Sequence, residues 1–308
     1  MTINVENASP RIRPEAARRD IPCNFCGSDN PRPFHPEYGR SLVQCQQCGL
    51  VYVSPRPADE ELYALYGETY FKNGDSRTVG YTDYLSDERN IRKTFAGRLK
   101  RVERFVAPPG RLLDVGCSMG FFMAEAEKHG WQVQGLDVSA FAVGHTRARF
   151  GFDARHGSFM ELDYPAGVYD LVTMWDVIEH VPDPMGHLRK AAALLKPGGV
   201  LVLSTPNIES LPARLARGNW VGYKLSEEHV YYFSKRMLAK MLDRAGFDVL
   251  NARHIGKYVT VSLFLDRFGM YFPPVARLFQ YFERRFGLSQ WSLSVNPFDI
   301  VCLTARKR

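Results

Sequence analysis

The sequence predicts an α/β protein with a Rossmann-like, doubly wound, mostly parallel sheet, preceded by a small zinc-ribbon-like module. Two observations lead to this prediction. From Arg111 onward, strand-like and helix-like segments alternate, which is typical of a parallel sheet with helices on both faces. Ahead of that region, four of the six cysteines form two Cys-x2-Cys pairs, a spacing typical of a zinc site.

Five segments of the C-terminal region are predicted to be strands, and the segments between them helices. The segment "MGFFMAEAEKHG" predicts a helix that a glycine ends, and "DPMGHLRKAAALLKPGG" predicts one that begins at an acidic cap and ends at Pro-Gly-Gly. The strand segments are "RLLDVGC", "WQVQGLDV", "FDARHG", "YDLVTMW" and "GVLVLSTP". Because ligands on such sheets bind at the carboxyl ends of the strands, we expect the functional residues there.

Composition and patterning divide the chain into four regions. The first residues carry no apolar pattern, and the cysteine region closes with the proline-rich "VSPRP". In "NIRKTFAGRLKRVERFV" apolar residues recur at three- and four-residue steps, which predicts an amphipathic helix with a solvated basic face. The predicted regions are a disordered tail at 1–20, a zinc-binding module at 21–57, a helical linker or lid at 58–110, and a main domain at 111–308 with insertions at about 208–228 and 255–295.

The composition is that of an enzyme-sized globular protein. The chain has 308 residues, 45% of them hydrophobic, enough to bury a substantial core. No segment approaches the roughly 18 uninterrupted apolar residues of a membrane span, and the N-terminus lacks the apolar stretch of a secretory signal, so we expect a cytoplasmic protein. The net charge of +7 permits binding to nucleic acid or an anionic surface, but the basic residues are scattered among 33 acids.

The two cysteine pairs predict a structural zinc site. Each pair stands before a glycine, in "CNFCGS" and "CQQCGL", which lets the backbone wrap around the sulfur atoms. Two disulfides or unbound thiols fit the same spacing, but a reducing cytoplasm favours zinc, and four sulfur ligands leave no open position for a substrate. The predicted ligands are Cys23, Cys26, Cys45 and Cys48, whereas Cys117 and Cys302 are expected to be buried thiols.

The segment 112–123, "LLDVGCSMGFFM", predicts a strand that turns sharply into a helix beneath a nucleotide-like ligand. A dinucleotide fold would have a third glycine where Ser118 stands, so Gly116 and Gly120 alone are a weak signal. A serine is tolerable at position 118 if the turn does not need positive φ there. Asp114, inside the strand, needs a partner for its buried carboxylate, and the amides of the glycine turn are the expected donors.

Asp137 strengthens the nucleotide interpretation. It ends the second predicted strand about 20 residues after the glycine turn, where a carboxylate can accept both hydrogen bonds of a ribose diol. The alternative is that Asp137 caps the helix predicted over "SAFAVGHTRARF".

Five motifs across residues 111–250 recur together in one known family. They are "LLDVGCSMGFF", "GLDVS", "YDLVTMWDVIEHVPDP", "LLKPGGVLVLSTPN" and "EEHVYYFSKRMLAKMLDRAGF". In this order and spacing the chain resembles the class I S-adenosylmethionine-dependent methyltransferases. The four-cysteine module also resembles that of bacterial methyltransferases acting on sugars and other secondary metabolites. The resemblance implies S-adenosylmethionine as cofactor and a sheet that finishes with an antiparallel pair, here "FDVLNARHI" and "PFDIVCLTARK".

The resemblance also implies which residues contact the cofactor. The glycine turn would surround the methionine part, and Asp137 would hold the ribose. Phe159 and Ser158 would flank the adenine, although many relatives have an aspartate at the serine position. Trp175 and Asp176 would lie near the reactive methyl group. The implied set is Asp114, Gly116, Cys117, Gly120, Asp137, Val138, Ser158, Phe159, Trp175 and Asp176, and the segment before the first strand offers Tyr81 if it folds over the site.

Two histidines are candidates for the catalytic base. Methyl transfer is an in-line displacement in which alignment does most of the work, but a hydroxyl acceptor must also lose a proton. His180 follows the fourth strand in "DVIEHV" and could instead brace its loop. His229 follows the aromatic insert "GNWVGYKLSEE", which could cover an acceptor, and Glu227 or Glu228 could orient its ring. Packing of the insert is the alternative role for His229.

Three classes of function remain open. The first is a methyltransferase for a small-molecule acceptor, such as the hydroxyl or carbon of a sugar, lipid or secondary metabolite. The second is an RNA or protein methyltransferase, but residues 20–57 contain only Arg32, Arg40 and Arg56 as basic residues, few for phosphate tracking. The third is a non-catalytic cofactor-binding scaffold. The aromatic and basic residues of 255–295 could cap the acceptor pocket, contact a membrane surface or form a homodimer face.

Overall fold

The structure is a computed structural model that describes residues 18–34, 42–72, 84–216, 220–224, 228–269, 272–289 and 291–308. Tyr81, Glu227 and residues 1–17 of the predicted tail lie outside the described residues. Within those ranges, no helix is both long enough and apolar enough to cross a membrane.

The described residues form strands and helices that follow the predicted alternation from residue 110 onward. The strands are β1 (Arg18–Arg19), β2 (Pro31–Pro33), β3 (Leu42–Cys45), β4 (Val51–Val53), β5 (Arg56–Pro57), β6 (Gly110–Val115), β7 (Trp131–Asp137), β8 (Asp153–His156), β9 (Tyr169–Trp175), β10 (Leu195–Pro206), β11 (Tyr231–Tyr232), β12 (Phe247–His254), β13 (Lys257–Thr260), β14 (Ser292–Val295) and β15 (Ile300–Lys307). The helices are α1 (Asp59–Ala64), α2 (Glu68–Lys72), α3 (Glu88–Val102), α4 (Phe121–Lys128), α5 (Ala140–Phe150), α6 (Pro184–Leu194), α7 (Leu211–Ala216), α8 (Val221–Lys224), α9 (Lys235–Arg244), α10 (Val261–Gly269) and α11 (Pro273–Phe286).

The main sheet has the strand order β12-β15-β10-β9-β6-β7-β8. Strand β6 pairs in parallel with both β7 and β9, and β15 runs antiparallel to its neighbours β10 and β12. The prediction of a mostly parallel, doubly wound sheet with an antiparallel last strand is therefore confirmed. Since the chain runs outward from β6 to β8 and then returns to β9, the strand order reverses between β6 and β9, and a ligand crevice is expected above their carboxyl ends.

Side-chain caps define where the helices α5 and α6 begin. The Ser139 hydroxyl accepts a hydrogen bond from the Ala142 amide (3.3 Å) at the start of α5, and Asp183 accepts one from the Gly186 amide (2.8 Å) at the start of α6. The strand β10 begins at Leu195, where α6 ends, rather than after the Pro-Gly-Gly that was expected to end the helix. Its first residue, Leu195, pairs with Tyr169 of β9, and regular pairing resumes at Val200 after a shift in register.

The cysteine module forms a separate small sheet, ordered β11-β4-β3-β2, that joins it to the main domain. Strand β11, which lies about 180 residues later in the sequence, pairs antiparallel with β4. The Val53 amide also donates a hydrogen bond to the Val230 carbonyl (2.9 Å). On another edge, the Asn24 side chain donates to Asp183 (2.8 Å) and accepts from the Met185 amide (2.8 Å) at the start of α6. The module is thus anchored both to the segment that begins β11 and to the start of α6.

The second insertion is a β-hairpin that carries two helices. Strands β13 and β14 pair antiparallel, and α10 and α11 lie between them in sequence. The hairpin is fastened to α3 by hydrogen bonds from the Tyr258 amide to Thr94 Oγ1 (2.8 Å) and from Ser292 Oγ to Asn90 Oδ1 (2.6 Å). The inserted helices therefore lie beside the carboxyl edge of the main sheet.

Candidate active site

One cavity of about 1070 Å³ opens at the carboxyl edge of the main sheet. Its walls come from the turn after β6, the ends of β7 and β9, the helices α2 and α3, and both insertions. The walls include most of the residues expected to bind the cofactor and both candidate histidines. The cofactor end and the acceptor end are therefore parts of a single space.

The glycine turn after β6 is tightly packed. Gly116 has φ +75°, and a Cβ atom there would lie 2.5 Å from Cγ2 of Val177, so any larger residue would clash with the loop after β9. Gly120 (φ +76°) is the N-cap residue of α4, and a Cβ atom there would lie 2.8 Å from Cγ2 of Thr146, so a larger residue would clash there too. Ser118, whose fit depends on whether the turn needs a positive φ, has φ +50°, so a residue other than glycine adopts a left-handed conformation there.

Asp137 lies at the end of β7 and points into this turn. One carboxylate oxygen accepts from the Ser118 amide (2.8 Å) and the other from the Ser139 amide (2.9 Å). Ser139, and not Asp137, caps helix α5, so the alternative role predicted for Asp137 does not apply. Burial raises the pKa of Asp137, although the two amide hydrogen bonds act in the opposite direction. Each oxygen keeps a lone pair that a diol can use.

The hydrogen-bond donor to Asp114 differs from the one predicted from the sequence. Its donor is the Thr173 hydroxyl on the neighbouring strand β9, which lies 2.7 Å from Oδ1, and not an amide of the glycine turn. The turn amides of Gly116 and Cys117 donate instead to the Leu136 carbonyl (both 2.9 Å). Burial raises the pKa of Asp114 to about 7, so this carboxyl group is partly protonated at neutral pH.

The residues expected at the adenine end are only partly brought together. Val138 and Phe159 line the cavity, and Phe159 is 2% exposed. Ser158 is buried behind the wall, where its hydroxyl lies 3.5 Å from the Tyr63 hydroxyl. Cys117 lines the cavity with a buried thiol whose pKa burial raises well above its usual range. The contact of Ser158 with the adenine stays a prediction, since its side chain is not part of the cavity lining.

The loop after β9 carries Trp175 and Asp176. Trp175 is nearly buried between the rings of Phe95 and Phe122, at centroid distances of 6.0 and 5.4 Å. Asp176 adopts a left-handed conformation (φ +54°), and its Oδ1 accepts from the Ser204 hydroxyl (2.7 Å). The strained conformation aims the carboxylate over the edge of the sheet into the cavity.

Sequence reasoning missed Arg98, which lines the same wall. Its side chain is 6% exposed, and its Nε has no hydrogen-bond partner among the described residues. Its Nη1 lies 4.0 Å from Asp176 Oδ2, and its guanidinium lies 5.2 Å from the Trp175 ring centroid. A buried guanidinium with one loose ion pair is suited to an anionic ligand. In the sequence Arg98 is one of several basic residues of an amphipathic helix, so nothing there distinguishes it.

His180 and His229 meet at the other end of the cavity, with ring centroids 4.7 Å apart. His180 Nδ1 lies 3.0 Å from the Glu228 carbonyl and 2.8 Å from the Tyr66 hydroxyl, and His229 Nδ1 lies 3.2 Å from the Gly222 carbonyl. Because a carbonyl only accepts, Nδ1 carries the proton in both rings and Nε2 is the proton-accepting nitrogen. Burial lowers the pKa of His180 to about 4, so that this ring stays neutral at physiological pH.

Two glutamates border the histidine pair: Glu179, which the sequence analysis missed, and Glu228, which it named as a candidate to orient the His229 ring. Glu179 is 2% exposed, and its pKa is raised well above the usual range, first by burial and then by the Asp176 carboxylate. Its backbone carbonyl accepts from the amides of Val230 and Tyr231, which ties the loop after β9 to strand β11. Glu228 is 6% exposed and accepts from the Tyr70 hydroxyl (3.2 Å). The acceptor end is therefore polar and enclosed.

The same end could also hold a cation. One ligand atom from each of Glu179, His180 and His229 lies within 4.8 Å of the others. Two imidazoles and one carboxylate suit a divalent transition metal as well as proton transfer.

The four module cysteines converge on one point. Their sulfur atoms all lie within 4.8 Å of one another, and the distances are 3.4 Å for Cys23–Cys48 and 3.5 Å for Cys26–Cys45. All four are free thiols, so the alternative of two disulfides is not formed. Zn–S bonds of about 2.3 Å in a tetrahedron separate sulfur atoms by about 3.8 Å, which the cluster fits closely.

The chain matches a family model described as a methyltransferase domain over residues 88–252, more than half of its length. A probable S-adenosylmethionine-dependent methyltransferase of Mycolicibacterium smegmatis is 32% identical over 168 residues, covering 49% of this chain and 63% of that protein. A ubiquinone biosynthesis O-methyltransferase of Xanthomonas campestris is 41% identical over 118 residues, covering 36% of this chain and 49% of that protein. The chain thus spans between 49% and 63% of the length of these two relatives.

Two solved structures share the fold. A putative methyltransferase from Bacillus halodurans aligns with a TM-score of 0.51 at 18% identity, covering 68% of this chain and 99% of that one. A SAM-dependent methyltransferase from Archaeoglobus fulgidus aligns with a TM-score of 0.50 at 18% identity, covering 73% and 99%. At such identities the likeness concerns the fold alone.

Proposed function

Because the chain belongs to the methyltransferase domain family, we propose that it transfers a methyl group from S-adenosylmethionine to a small-molecule acceptor, the hydroxyl or carbon of a sugar, lipid or secondary metabolite. The observation that carries this proposal is the single cavity with a nucleotide-type turn at one end and a histidine pair at the other. The name of the Xanthomonas relative favours an oxygen acceptor. Enclosure of the histidine end favours a small molecule over RNA or protein.

The residues present fit the cofactor. When bound, S-adenosylmethionine supplies a methyl group on a positively charged sulfur atom, ready for displacement. Asp137 keeps two acceptor oxygens for the ribose diol, and the close-packed Gly116 lets the backbone approach the ligand. Phe159 offers an apolar face for the adenine. These residues bind and orient, and the chemistry needs little else from the protein.

We expect Asp137→Ala to weaken S-adenosylmethionine binding. Losing charge-assisted hydrogen bonds to the ribose should cost on the order of 1.5–3 kcal/mol, about 10–150-fold in Kd. Calorimetry on the wild type, Asp137→Ala and the exposed-acid control Asp163→Ala measures this, with NAD as a ligand that should not bind. Undiminished binding by the correctly folded variant would remove Asp137 from the site.

Arg98 is the residue we assign to the cofactor's carboxylate. It lines the cavity beside Trp175 and Asp176, and its buried guanidinium has unused hydrogen-bonding capacity. A carboxylate bound there would replace the loose 4.0 Å contact with Asp176 by charge-assisted hydrogen bonds.

Arg98→Gln should weaken S-adenosylmethionine binding by about 10–150-fold, because a hydrogen bond to a charged group contributes about 1.5–3 kcal/mol. Decarboxylated S-adenosylmethionine tests the assignment directly: it should bind the wild type and the variant equally. The matched control is Lys100→Gln, which removes one exposed positive charge from the same helix. If both ligands lose affinity to the same degree, Arg98 supports the wall and does not bind the carboxylate.

We assign the role of general base to His229. Its Nδ1 is held by the Gly222 carbonyl, so Nε2 is the nitrogen that can take a proton from an acceptor hydroxyl. His180 resists protonation because burial lowers its pKa to about 4, which suits a ring that braces the pair better than one that accepts the proton. The neighbouring Glu179 and Glu228 are placed to hydrogen-bond a polar acceptor.

The four-cysteine cluster is proposed to bind one structural zinc ion in a reducing, cytoplasmic setting. The backbone amides of Phe25 and Cys26 point at the Cys23 sulfur, an arrangement that stabilises thiolates. The effect of zinc on catalysis is indirect. The cysteine module supplies strand β4, and its partner strand β11 begins two residues after His229. Zinc thereby holds the segment that carries the base.

The proposed function is tested by label transfer. The enzyme is incubated with S-adenosylmethionine labelled at the methyl carbon and with a metabolite extract from a strain that lacks the gene. We expect label in small molecules of the extract, and much less with Asp137→Ala. Label confined to RNA or protein, or no turnover in spite of tight cofactor binding, would contradict the proposal and favour the other two classes.

A further inference from the structure

Large apolar side chains are exposed on α7 and along α11, and two of them also line the cavity. We call this apolar surface the rim surface and define it by side chains that are each more than half exposed: Leu211, Leu215, Phe272, Leu278, Phe279, Tyr281 and Phe286. They come from α7 and from the segment that runs through α11. A monomeric protein in water seldom exposes so many large apolar side chains in neighbouring turns, so a binding partner is expected here.

The rim surface continues into the cavity. Leu215 (75% exposed) and Phe272 (55% exposed) also line the cavity wall. From Phe272 a row of rings leads inward, with centroid distances of 5.1 Å to Phe268 and 6.0 Å from Phe268 to Phe264, and all three rings line the wall. This row of rings offers an apolar chain continuous contact from the exposed Phe272 to the cavity wall at Phe264.

The charges on α11 are arranged on one side. Ala276 and Glu283 are buried and mark the inward face of the helix, which Gln280 fastens to α10 through Asp266 (3.1 Å). Glu283 is the one acid in the sequence of α11 and is 6% exposed. Arg277 and Arg285 are exposed. The outward face thus combines apolar, aromatic and cationic side chains without an acid.

We propose that the rim surface docks the protein onto an anionic lipid membrane. Aromatic and aliphatic side chains flanked by arginines suit the headgroup layer, where rings bury their apolar faces and guanidinium groups contact lipid phosphates. A second copy of this chain is a poorer occupant, because a twofold pairing of α11 would bring Arg277 and Arg285 against the same residues of the partner. Like charges there would oppose association.

Docking onto a membrane also restricts the class of methyl acceptor. This inference about the acceptor rests on the proposed function. A mouth that faces the membrane selects an acceptor with an apolar chain, which would lie along Phe272, Phe268 and Phe264. The polar head of that acceptor would reach the histidine pair at the enclosed end. The acceptor is therefore a lipid-borne molecule with a hydroxyl or activated carbon in its head.

Vesicle flotation with the full zinc-loaded chain tests the docking. We expect the protein to float with vesicles of phosphatidylcholine mixed with phosphatidylglycerol, and to remain unbound with phosphatidylcholine alone. Arg277→Gln combined with Arg285→Gln should lower the partition coefficient about thirtyfold, since each arginine near an anionic surface contributes about 1 kcal/mol. The matched control is Arg236→Gln with Lys240→Gln, two exposed cations of α9.

The apolar part is tested with Leu278→Ser combined with Phe286→Ser, which should weaken flotation at least about tenfold. Met160→Ser with Val249→Ser removes two exposed apolar side chains elsewhere and should leave it unchanged. Absence of wild-type flotation, or equal flotation with neutral vesicles, overturns the proposal. So does a dimer in light scattering that Leu278→Ser with Phe286→Ser dissociates. Asp137→Ala should still float, which separates this test from the proposed chemistry.

Discussion

Replacing His229 with glutamine should lower kcat by roughly 10²–10⁴ and leave the affinity for S-adenosylmethionine nearly unchanged. This range is the usual cost of losing acid–base assistance. Glutamine retains a group that can donate to the Gly222 carbonyl, so the packing of the insert survives while the proton-accepting nitrogen is lost. Single-turnover kinetics with a saturating acceptor, once one is found by label transfer, give the measurement.

His180→Gln is the comparison for that result. Its neutral ring is braced by Tyr66 and the Glu228 carbonyl, so its loss should reduce kcat less than the loss of His229. Near-normal kcat in His229→Gln would make His229 a packing residue. If both variants are active, an already acidic or carbon-centred acceptor becomes the better interpretation.

The second large effect concerns the metal. The purified chain should contain about one zinc ion, and Cys23→Ser combined with Cys26→Ser should abolish it, since two of four ligands are lost. Structural zinc contributes about 10–16 kcal/mol of binding free energy in isolated zinc fingers, so the melting temperature should fall sharply. Cys302→Ser, which changes a buried thiol outside the cluster, is the control and should retain zinc.

Loss of zinc should also destabilise the backbone pairing next to His229 in the active site. Because β4 pairs with β11, hydrogen exchange of the Val53 amide, which donates to the carbonyl of Val230 next to His229, should accelerate in the cysteine double variant. Elemental analysis and exchange mass spectrometry measure the two consequences. Negligible zinc in wild-type protein purified without chelator, or full zinc retention by the double variant, would contradict the assignment.

The sheet itself was largely predictable from local pattern. Strand β9 has the predicted bounds of "YDLVTMW", and β7 differs by one residue, because a buried parallel strand is a continuous apolar run that few other structures tolerate. The glycine turn and Asp137 were also recognisable, since they sit at fixed distances from strand ends. The donor to Asp114 was predicted wrongly because a cross-strand partner leaves no local signal, and the positive φ at Ser118 was not predictable for the same reason.

What the sequence alone determined is therefore the parallel sheet, the cofactor turn and the cysteine spacing, each encoded within a short segment. Only the tertiary structure decided that His180 and His229 share one end of a cavity, that Arg98 is buried against its wall, and that the insertions close over it. The physical reason is that these contacts join segments far apart in the chain. These contacts depend on which side chains are buried together when different elements pack. The periodicity or spacing of residues within one element does not predict that packing.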